Sequence, residues 1–281
     1  MTLTASPLLD YTNILAGRGP GSGETTEGTD GVPVSATDFF TAAREAIARV
    51  EATQLPAIQR ASALLAGRMR AGGVVQVFGS GHSKAFSMEM SGRAGGLVPA
   101  HAMYLSDLAL TGRYAAGDLR DPSFERRPEV ARELFGLYDI RPDDAFIIVS
   151  NSGRNGATVE MALIAAEQGL PVVAVTSVAH TSAVTSRHPS GKRLIDLGDV
   201  VIDNCAPLGD AVLDTGHAAR VCAVSSVTGA MIAQALTAEI AADYQRRGAE
   251  PPVMVSANLD GADEHNARLR DPYGARITWD M

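Results

Sequence analysis

The sequence predicts an α/β fold, a three-layer α-β-α sandwich in which a five-stranded parallel sheet lies between helices. Three observations predict it. Short apolar runs alternate with stretches of helical periodicity along most of the 281 residues. The apolar runs are continuous, which is typical of strands that are buried on both faces of a sheet. Helical stretches follow the strands in the order that the crossovers of a parallel sheet require.

The first predicted element is helical. Ser35 can cap a helix whose apolar residues recur at helical spacing from Phe39 to Val50. Pro56 is expected to kink or restart this helix, because proline lacks an amide hydrogen and its ring clashes with the preceding turn. The sequence therefore predicts N-terminal helices, packed alongside the sheet, that end at Gly72.

Five apolar runs predict the strands of the sheet. They occupy residues 74–78, 97–103, 145–149, 172–176 and 199–203. Helices are predicted after the first and third runs, and a long final helix is predicted at residues 225–246. The polar segment 106–140 contains two prolines and is predicted as a loop with a short helix at 129–137.

Amino-acid composition indicates how the chain is divided into a tail and a domain. Residues 1–33 include a stretch rich in glycine, threonine and glutamate, and this segment is predicted to be a disordered tail. Residues 34–281 are predicted to form a single domain that ends in a C-terminal loop extension. Apolar residues make up 46% of the chain, which is enough for a sizeable core.

Charge and hydropathy exclude several classes of partner. The net charge is −8 and the basic residues are interspersed among acidic ones, so no basic stripe is available for nucleic acid. No apolar run reaches the roughly 18 residues of a membrane helix. No signal peptide is visible, and the two cysteines lack the spacing of a zinc site, so we expect a cytoplasmic protein.

Two of the predicted strands end in small polar turns that lead into helices. Glycines let the backbone approach an anion, a helix N-terminus offers free N–H groups, and serine hydroxyls donate further hydrogen bonds. The predicted phosphate-binding residues are Ser80, Ser83, Ser150, Asn151, Ser152 and Asn155. The alternative is a pair of tight turns with capping serines. Neither a dinucleotide-binding glycine pattern nor a P-loop is present.

At these two turns the sequence resembles the SIS (sugar isomerase) domain family. The resemblance is carried by Val77-Phe-Gly-Ser-Gly-His-Ser83 and Ile148-Val-Ser-Asn-Ser-Gly-Arg-Asn155, and it covers about residues 40–250. It implies the flavodoxin-like SIS fold. It also implies a sugar phosphate bound by the serines of both turns and by the residue three positions after Ser152. That residue is Asn155 here, where relatives usually carry serine or threonine.

A longer resemblance extends towards the C-terminus. The stretches 93–99, 186–193, 203–210 and 256–266 are similar to a bacterial subfamily of stand-alone SIS proteins described as phosphosugar isomerases. One branch of that subfamily is similar to an N-acetylglucosamine-6-phosphate dehydratase. The resemblance also implies a homo-oligomer, a dimer or a tetramer, with the site near the subunit interface.

Glu89 is the leading candidate for a catalytic base. Isomerisation, dehydration and β-elimination of sugar phosphates all begin when a base removes the proton α to the carbonyl. Glu89 lies among apolar neighbours on the helix after the first turn, and the alternative is a surface ion pair with Arg93. His82, inside the first turn, is a candidate for polarising the carbonyl. Carboxylates and a histidine suffice for this chemistry, so we expect no cofactor and no metal.

Four further residues are candidates for the site. His265 and Asn258 lie in a polar C-terminal stretch, and the resemblance implies that a partner chain lends a histidine. Glu239 is a candidate second carboxylate, and Asp210 is a candidate for positioning a hydroxyl. The alternatives are a solvated loop, a solvated helix face and an ordinary turn.

Two histidines suggest a metal site that the sequence does not complete. His180 and His188 lie in one polar loop, but no third ligand is in register, so no metal is predicted.

Together these observations predict an enzyme that binds a small-molecule phosphosugar. The resemblance to the stand-alone subfamily implies that it acts on an amino-sugar 6-phosphate, removing the C2 proton and eliminating water. An aldose–ketose isomerase and a non-catalytic phosphosugar sensor are the alternatives.

Overall fold

The structure, a computed structural model, describes residues 33–277. The predicted disordered tail lies outside these residues except for Pro33. Within the described part, no helix combines the length and the apolar character needed to cross a membrane.

A single long helix, α1, spans Ala36–Arg70. Ser35 caps it: its hydroxyl accepts from the Asp38 amide at 3.3 Å, and the Asp38 carboxylate accepts from the Ser35 amide at 2.8 Å. The restart expected at Pro56 is wrong, because one helix continues through the proline. Pro56 and Ala52, whose carbonyl loses its hydrogen bond, are both exposed, so water can satisfy that carbonyl.

The central sheet has five parallel strands, as the sequence predicts, and their order is β2-β1-β3-β4-β5. The strands are β1 (Val75–Gly79), β2 (Ala100–Met103), β3 (Ala145–Val149), β4 (Val172–Thr176) and β5 (Val200–Asp203). Strand β2 begins later than predicted, because Val98 donates instead to the Pro252 carbonyl of the C-terminal segment at 2.8 Å. The direction in which successive strands are added reverses between β1 and β3.

Helices cover both faces of the sheet, which confirms the sandwich. Helices α1, α2 (Lys84–Met90) and α7 (Ser225–Arg246) pack on one face, and α4 (Glu129–Phe135) and α5 (Gly156–Glu167) pack on the other. Strand β3 shows the alternation: Ile147 joins the first apolar cluster, whereas Phe146 and Ile148 join the second.

The remaining elements are short and connect these layers. The short α-helices are α3 (Asp107–Leu110), α6 (Val178–Ser182) and α8 (Ala262–Arg270). The 3₁₀ helices are Gly81–Ser83, Asp118–Arg120, Phe124–Arg126, Leu194–Asp196 and Asp271–Arg276.

Two features differ from the sequence prediction. Strands β6 (Ala211–Asp214) and β7 (Arg220–Ala223) form an antiparallel hairpin that is outside the main sheet. Their short runs carry no alternation that would mark strands. The C-terminal stretch, which the sequence predicts to be a loop, contains α8. The buried residues of this helix, Ala262 and Asn266, are four positions apart and so lie on one face.

Asp144 ties the beginnings of the central strands to the C-terminal segment. Its side chain is fully buried and accepts from the Val74 amide at 2.8 Å and from Gln76 Nε2 at 3.3 Å. Arg276 Nη2 donates to both carboxylate oxygens, at 2.6 and 2.7 Å, and the Arg276 side chain is only 7% exposed. A buried ion pair of this kind is costly to break from one side.

We predict that Asp144→Ala lowers the free energy of unfolding by about 3 kcal/mol or more, because it leaves a buried guanidinium and a buried amide without their acceptor. Urea denaturation of the variant measures this. The matched control is Asp143→Ala, which removes a carboxylate from an exposed neighbour. Equal midpoints for the two variants would contradict the role of Asp144.

Candidate functional site

A cavity of about 450 Å³ lies beyond the carboxyl ends of β1 and β3. These strands are neighbours, and Gly79 at the end of β1 pairs with Val149 at the end of β3. The two polar turns therefore begin side by side, at the point where the strand order reverses. Open parallel sheets bind their ligands at this place, and the volume is in the range of small-molecule sites.

Nine of the twelve predicted site residues line this cavity. They are Ser80, His82, Ser83, Glu89, Ser150, Asn151, Ser152, Asn155 and Asp210. Both turns and the candidate base are thus brought to one place by the fold.

The first turn is tightly curled, which explains its glycine. A Cβ atom on Gly79 would lie 2.6 Å from the Ser83 carbonyl oxygen, so only glycine permits the turn to fold back this closely. The Ser83 amide donates to the Ser80 carbonyl at 3.1 Å and closes the turn. The 3₁₀ helix Gly81–Ser83 then leads directly into α2.

The second turn accepts backbone hydrogen bonds from a later segment of the chain. Gly153 has a φ of 61° and its amide donates to the Ser150 hydroxyl at 3.2 Å. The Gly153 carbonyl accepts from the Leu194 amide at 2.8 Å, and the Arg154 carbonyl accepts from the Arg187 amide at 2.9 Å. The stretch 186–193, noted in the sequence for its resemblance, therefore supports this turn.

Helix α5 begins at the second turn, with Asn155 as its N-cap residue. The Asn155 side chain does not cap the helix. Its Nδ2 donates to Glu125 Oε1 at 2.7 Å and its Oδ1 accepts from Arg187 Nη1 at 2.9 Å. The amide that was predicted to contact phosphate is thus engaged on both sides by protein groups, while the helix N-terminus beside it favours an anion.

Glu89 lines the cavity and also forms the ion pair that was its alternative interpretation. Its Oε2 receives hydrogen bonds from Arg93 and, at 2.9 Å, from Gln234 Nε2. Its side chain is 30% exposed. The ion pair of the alternative interpretation is therefore present, Glu89 also lies at the cavity, and its role as a base stays a prediction.

Two histidines reach the cavity. His82 is exposed at its edge, and His180 is half-buried, with Nδ1 at 3.5 Å from Asn151 Nδ2. Burial lowers the pKa of His180 below its usual 6.5, and Arg154 lowers it further, while Asp210 acts in the opposite direction. The imidazole is accordingly neutral at neutral pH and can accept or share a proton.

Asp210 has a structural role in addition to lining the cavity. Its φ is 72°, and its carboxylate accepts from the Val224 amide at 3.1 Å and the Ser225 amide at 2.8 Å. It therefore holds the beginning of α7, which packs against the cavity through Ser225 and Ser226.

Three predicted residues do not line the cavity of their own chain. His265 lies on α8, with Nε2 at 3.2 Å from the Val253 carbonyl oxygen. Glu239 lies on α7, where its Oε1 accepts a hydrogen bond from Gln59 Nε2 at 3.4 Å. Asn258 is exposed to solvent.

Sequence reasoning missed several residues that line the cavity. Glu125, His180, Asn204, Ser225 and Ser226 are the main polar examples. Asn204 is buried and donates from Nδ2 to Asn151 Oδ1 at 3.0 Å. Its position one residue after β5, at the same edge of the sheet as the two turns, is the signal that would have found it.

The described part of the chain gathers no group of three or more histidine, cysteine or acidic side chains that would hold a metal ion. His188, considered with His180 in the sequence, lies instead against Glu160, with Nε2 at 2.7 Å from Oε2.

Comparison with known proteins agrees with this architecture. The SIS domain family model matches residues 38–177. A UPF0309 protein of Caldanaerobacter subterraneus subsp. tengcongensis is 40% identical over 235 residues, covering 82% of this chain and 94% of the relative. The chain belongs to the UPF0309 family, and its residues 38–177 match the SIS domain.

Other UPF0309 proteins and solved structures are also similar to it. A UPF0309 protein of Geobacillus kaustophilus is 38% identical over 221 residues, covering 78% of this chain and 86% of the relative. Among solved structures, phosphoheptose isomerase from Neisseria gonorrhoeae is 19% identical, with a TM-score of 0.49, covering 73% of this chain and 96% of that one.

We predict that His180 titrates below pH 6.5 in a histidine NMR titration, because burial disfavours its charged form. The unfolded chain then takes up a proton near pH 6.5 that the folded chain does not, so stability is lost as the pH falls through this range. His180→Gln removes this part of the pH dependence. His217→Gln, at an exposed histidine, leaves it unchanged. A His180 midpoint at or above 6.5 would contradict the assignment.

Proposed function

We propose that the protein is an enzyme that acts on an amino-sugar 6-phosphate, N-acetylglucosamine 6-phosphate by preference, and that it removes the C2 proton and eliminates the 3-hydroxyl as water. The observation that supports this proposal is the single cavity at the strand-order reversal. It brings two serine turns, a carboxylate and two histidines together in one chain.

The phosphate is bound by neutral donors. Ser80 and Ser83 in the first turn, and Ser150 and Ser152 in the second, offer hydroxyls around one cavity. Each hydrogen bond to a charged oxygen contributes about 1.5–3 kcal/mol, so several together bind a dianion without a lysine. This arrangement suits a chain with a net charge of −8, which attracts no anion through its overall field.

The chemistry begins at Glu89. In the open-chain sugar, the Glu89 carboxylate takes the C2 proton, and the electron pair of the broken C–H bond forms an enolate with the C1 carbonyl. His82 or the neutral His180 polarises that carbonyl and stabilises the developing charge. The enolate then expels the oxygen at C3, so a C2–C3 double bond forms and the C1 carbonyl is restored, and a general acid supplies the proton with which that oxygen leaves as water.

We propose elimination rather than isomerisation because of the resemblance to the stand-alone subfamily, one branch of which is similar to a dehydratase. Both reactions need the same base and the same enolate. The proposal includes the homo-oligomer that the resemblance implies. His265 would then act only in the cavity of a neighbouring subunit.

We predict that incubation with N-acetylglucosamine 6-phosphate in D₂O produces a new vinylic signal in the proton NMR spectrum, because the C3 proton of the product lies on a double bond. Deuterium at C2 or a ketose, without vinylic signals, assigns an isomerase instead. An unchanged spectrum together with measurable binding of the sugar contradicts the enzyme proposal and favours a sensor.

Glu89→Gln is expected to lower turnover by about 10²-fold or more while the sugar still binds, because the amide cannot take up the proton. The rate of C2 deuterium incorporation measures this, and the Kd by calorimetry measures binding. Glu167→Gln, at an exposed position on α5, is the matched control. Turnover that persists in Glu89→Gln rules out Glu89 as the base.

A further inference from the structure

Glu125 is a further carboxylate in the cavity, besides Glu89 and Asp210, and it comes from a segment that carries no sequence motif. It lies in the 3₁₀ helix Phe124–Arg126, before α4. Phe124 anchors this turn: its side chain is buried, and its ring packs edge-on against Tyr114 with the centroids 5.1 Å apart. Glu125 is therefore presented to the cavity by a fixed piece of backbone.

Asn155 and Arg187 hold the Glu125 carboxylate in one orientation. Asn155 Nδ2 donates to Glu125 Oε1 at 2.7 Å, and Asn155 Oδ1 accepts from Arg187 Nη1 at 2.9 Å. A serine at position 155 would offer one short hydroxyl in place of the longer amide with its two polar atoms. The asparagine therefore links the guanidinium to the carboxylate through separate atoms and with a longer reach.

The other carboxylate oxygen of Glu125 faces the first turn. A Cβ atom on Gly81 would lie 3.6 Å from Oε2, and no hydrogen bond to Oε2 is found within residues 33–277. One oxygen of Glu125 is thus fixed, and the other is left for a ligand beside the first serine turn.

Glu89 and Glu125 have different electrostatic surroundings. Glu89 contacts a cation, Arg93, whereas the direct partner of Glu125 is the neutral amide of Asn155. Two carboxylates in different surroundings are the usual means by which one site obtains both a base and an acid from the same side-chain type. The Arg187 guanidinium, one amide away, stabilises the carboxylate that remains after a proton has been donated.

We infer that Glu125 is the general acid of the elimination, an inference that rests on the proposed function. Glu89 takes the proton from C2. The enolate electron pair forms the C2–C3 double bond, the C3–O bond breaks with its electrons on oxygen, and Glu125 gives that oxygen its proton as water leaves. Glu89 ends protonated and Glu125 ionised, no atom is oxidised or reduced, and exchange with solvent restores both groups.

Glu125 thereby takes the role that the sequence gave to Glu239. A second carboxylate is what separates elimination from simple proton exchange, because hydroxide is a poor leaving group unless it is protonated. Glu239 lies outside the cavity of its own chain, beside Gln59.

The test is Glu125→Gln with N-acetylglucosamine 6-phosphate in D₂O, followed by proton NMR. We expect water elimination to fall by about 10²-fold or more while deuterium still enters at C2, because the base and the enolate are intact. Glutamine keeps the shape and can still accept from Asn155. Glu129→Gln, at an exposed position on α4, is the matched control.

The outcomes separate the inference from the proposed function. Wild-type protein that neither eliminates nor exchanges overturns both. Normal elimination by Glu125→Gln overturns the inference alone. Loss of exchange together with elimination also overturns it, because Glu125 then acts before the enolate forms.

Asn155 is a positioning residue in this scheme, and Asn155→Ser tests it. The serine keeps a hydroxyl for phosphate but releases Glu125, so we expect kcat for elimination to fall by about 10-fold or more with KM nearly unchanged. A raised KM with unchanged kcat makes Asn155 a phosphate ligand instead and overturns its positioning role.

Discussion

The site depends on one constraint, the adjacency of β1 and β3 in a parallel sheet. The pairing of Gly79 with Val149 makes both strands end at the same level, so the chain must leave the sheet twice at one point. Each exit turns into a helix, and two helix N-termini are placed beside one cavity. A slip of one residue in this register would separate the serine turns and direct their side chains to opposite faces of the sheet.

The surroundings of the cavity show how an acidic chain arranges local positive potential. Burial lowers the pKa of Arg187, and the neighbouring cations Arg154 and Arg126 lower it further. Arg154 also has a buried Nε atom for which no hydrogen-bond partner is found within residues 33–277. These cations lie behind the second turn rather than in the cavity lining. Their positive charge favours an anion at the cavity without lining it.

The polar residues of the site are also connected to one another. Asn204 bonds to Asn151, His180 approaches Asn151, and Asp210 holds the start of α7 beside them. Side chains that follow β3 and β5 are thus linked to each other and to His180 of α6, so the position of each depends on the others. A network of this kind fixes the geometry that general acid–base chemistry requires, because a displacement of about 1 Å is enough to lower a rate substantially.

The sequence by itself determined the sandwich, the five strands and the two turns, because these depend on local apolar runs, local glycines and helical spacing. The bounds of β3 and β4 follow directly from their apolar runs. The continuity of α1 through Pro56 did not follow, because it depends on which face of the helix meets solvent.

Only the tertiary structure decided which polar residues share the cavity. Glu125 and Asn155 are thirty residues apart and come from different connections, and neither has a local pattern that points to the other. Their contact arises because the segment before α4 lies against the start of α5, where the Arg126 carbonyl oxygen leaves no room for a Cβ on Gly156. Such contacts between distant segments have no periodicity in the chain, and only the packed sheet and helices bring them together.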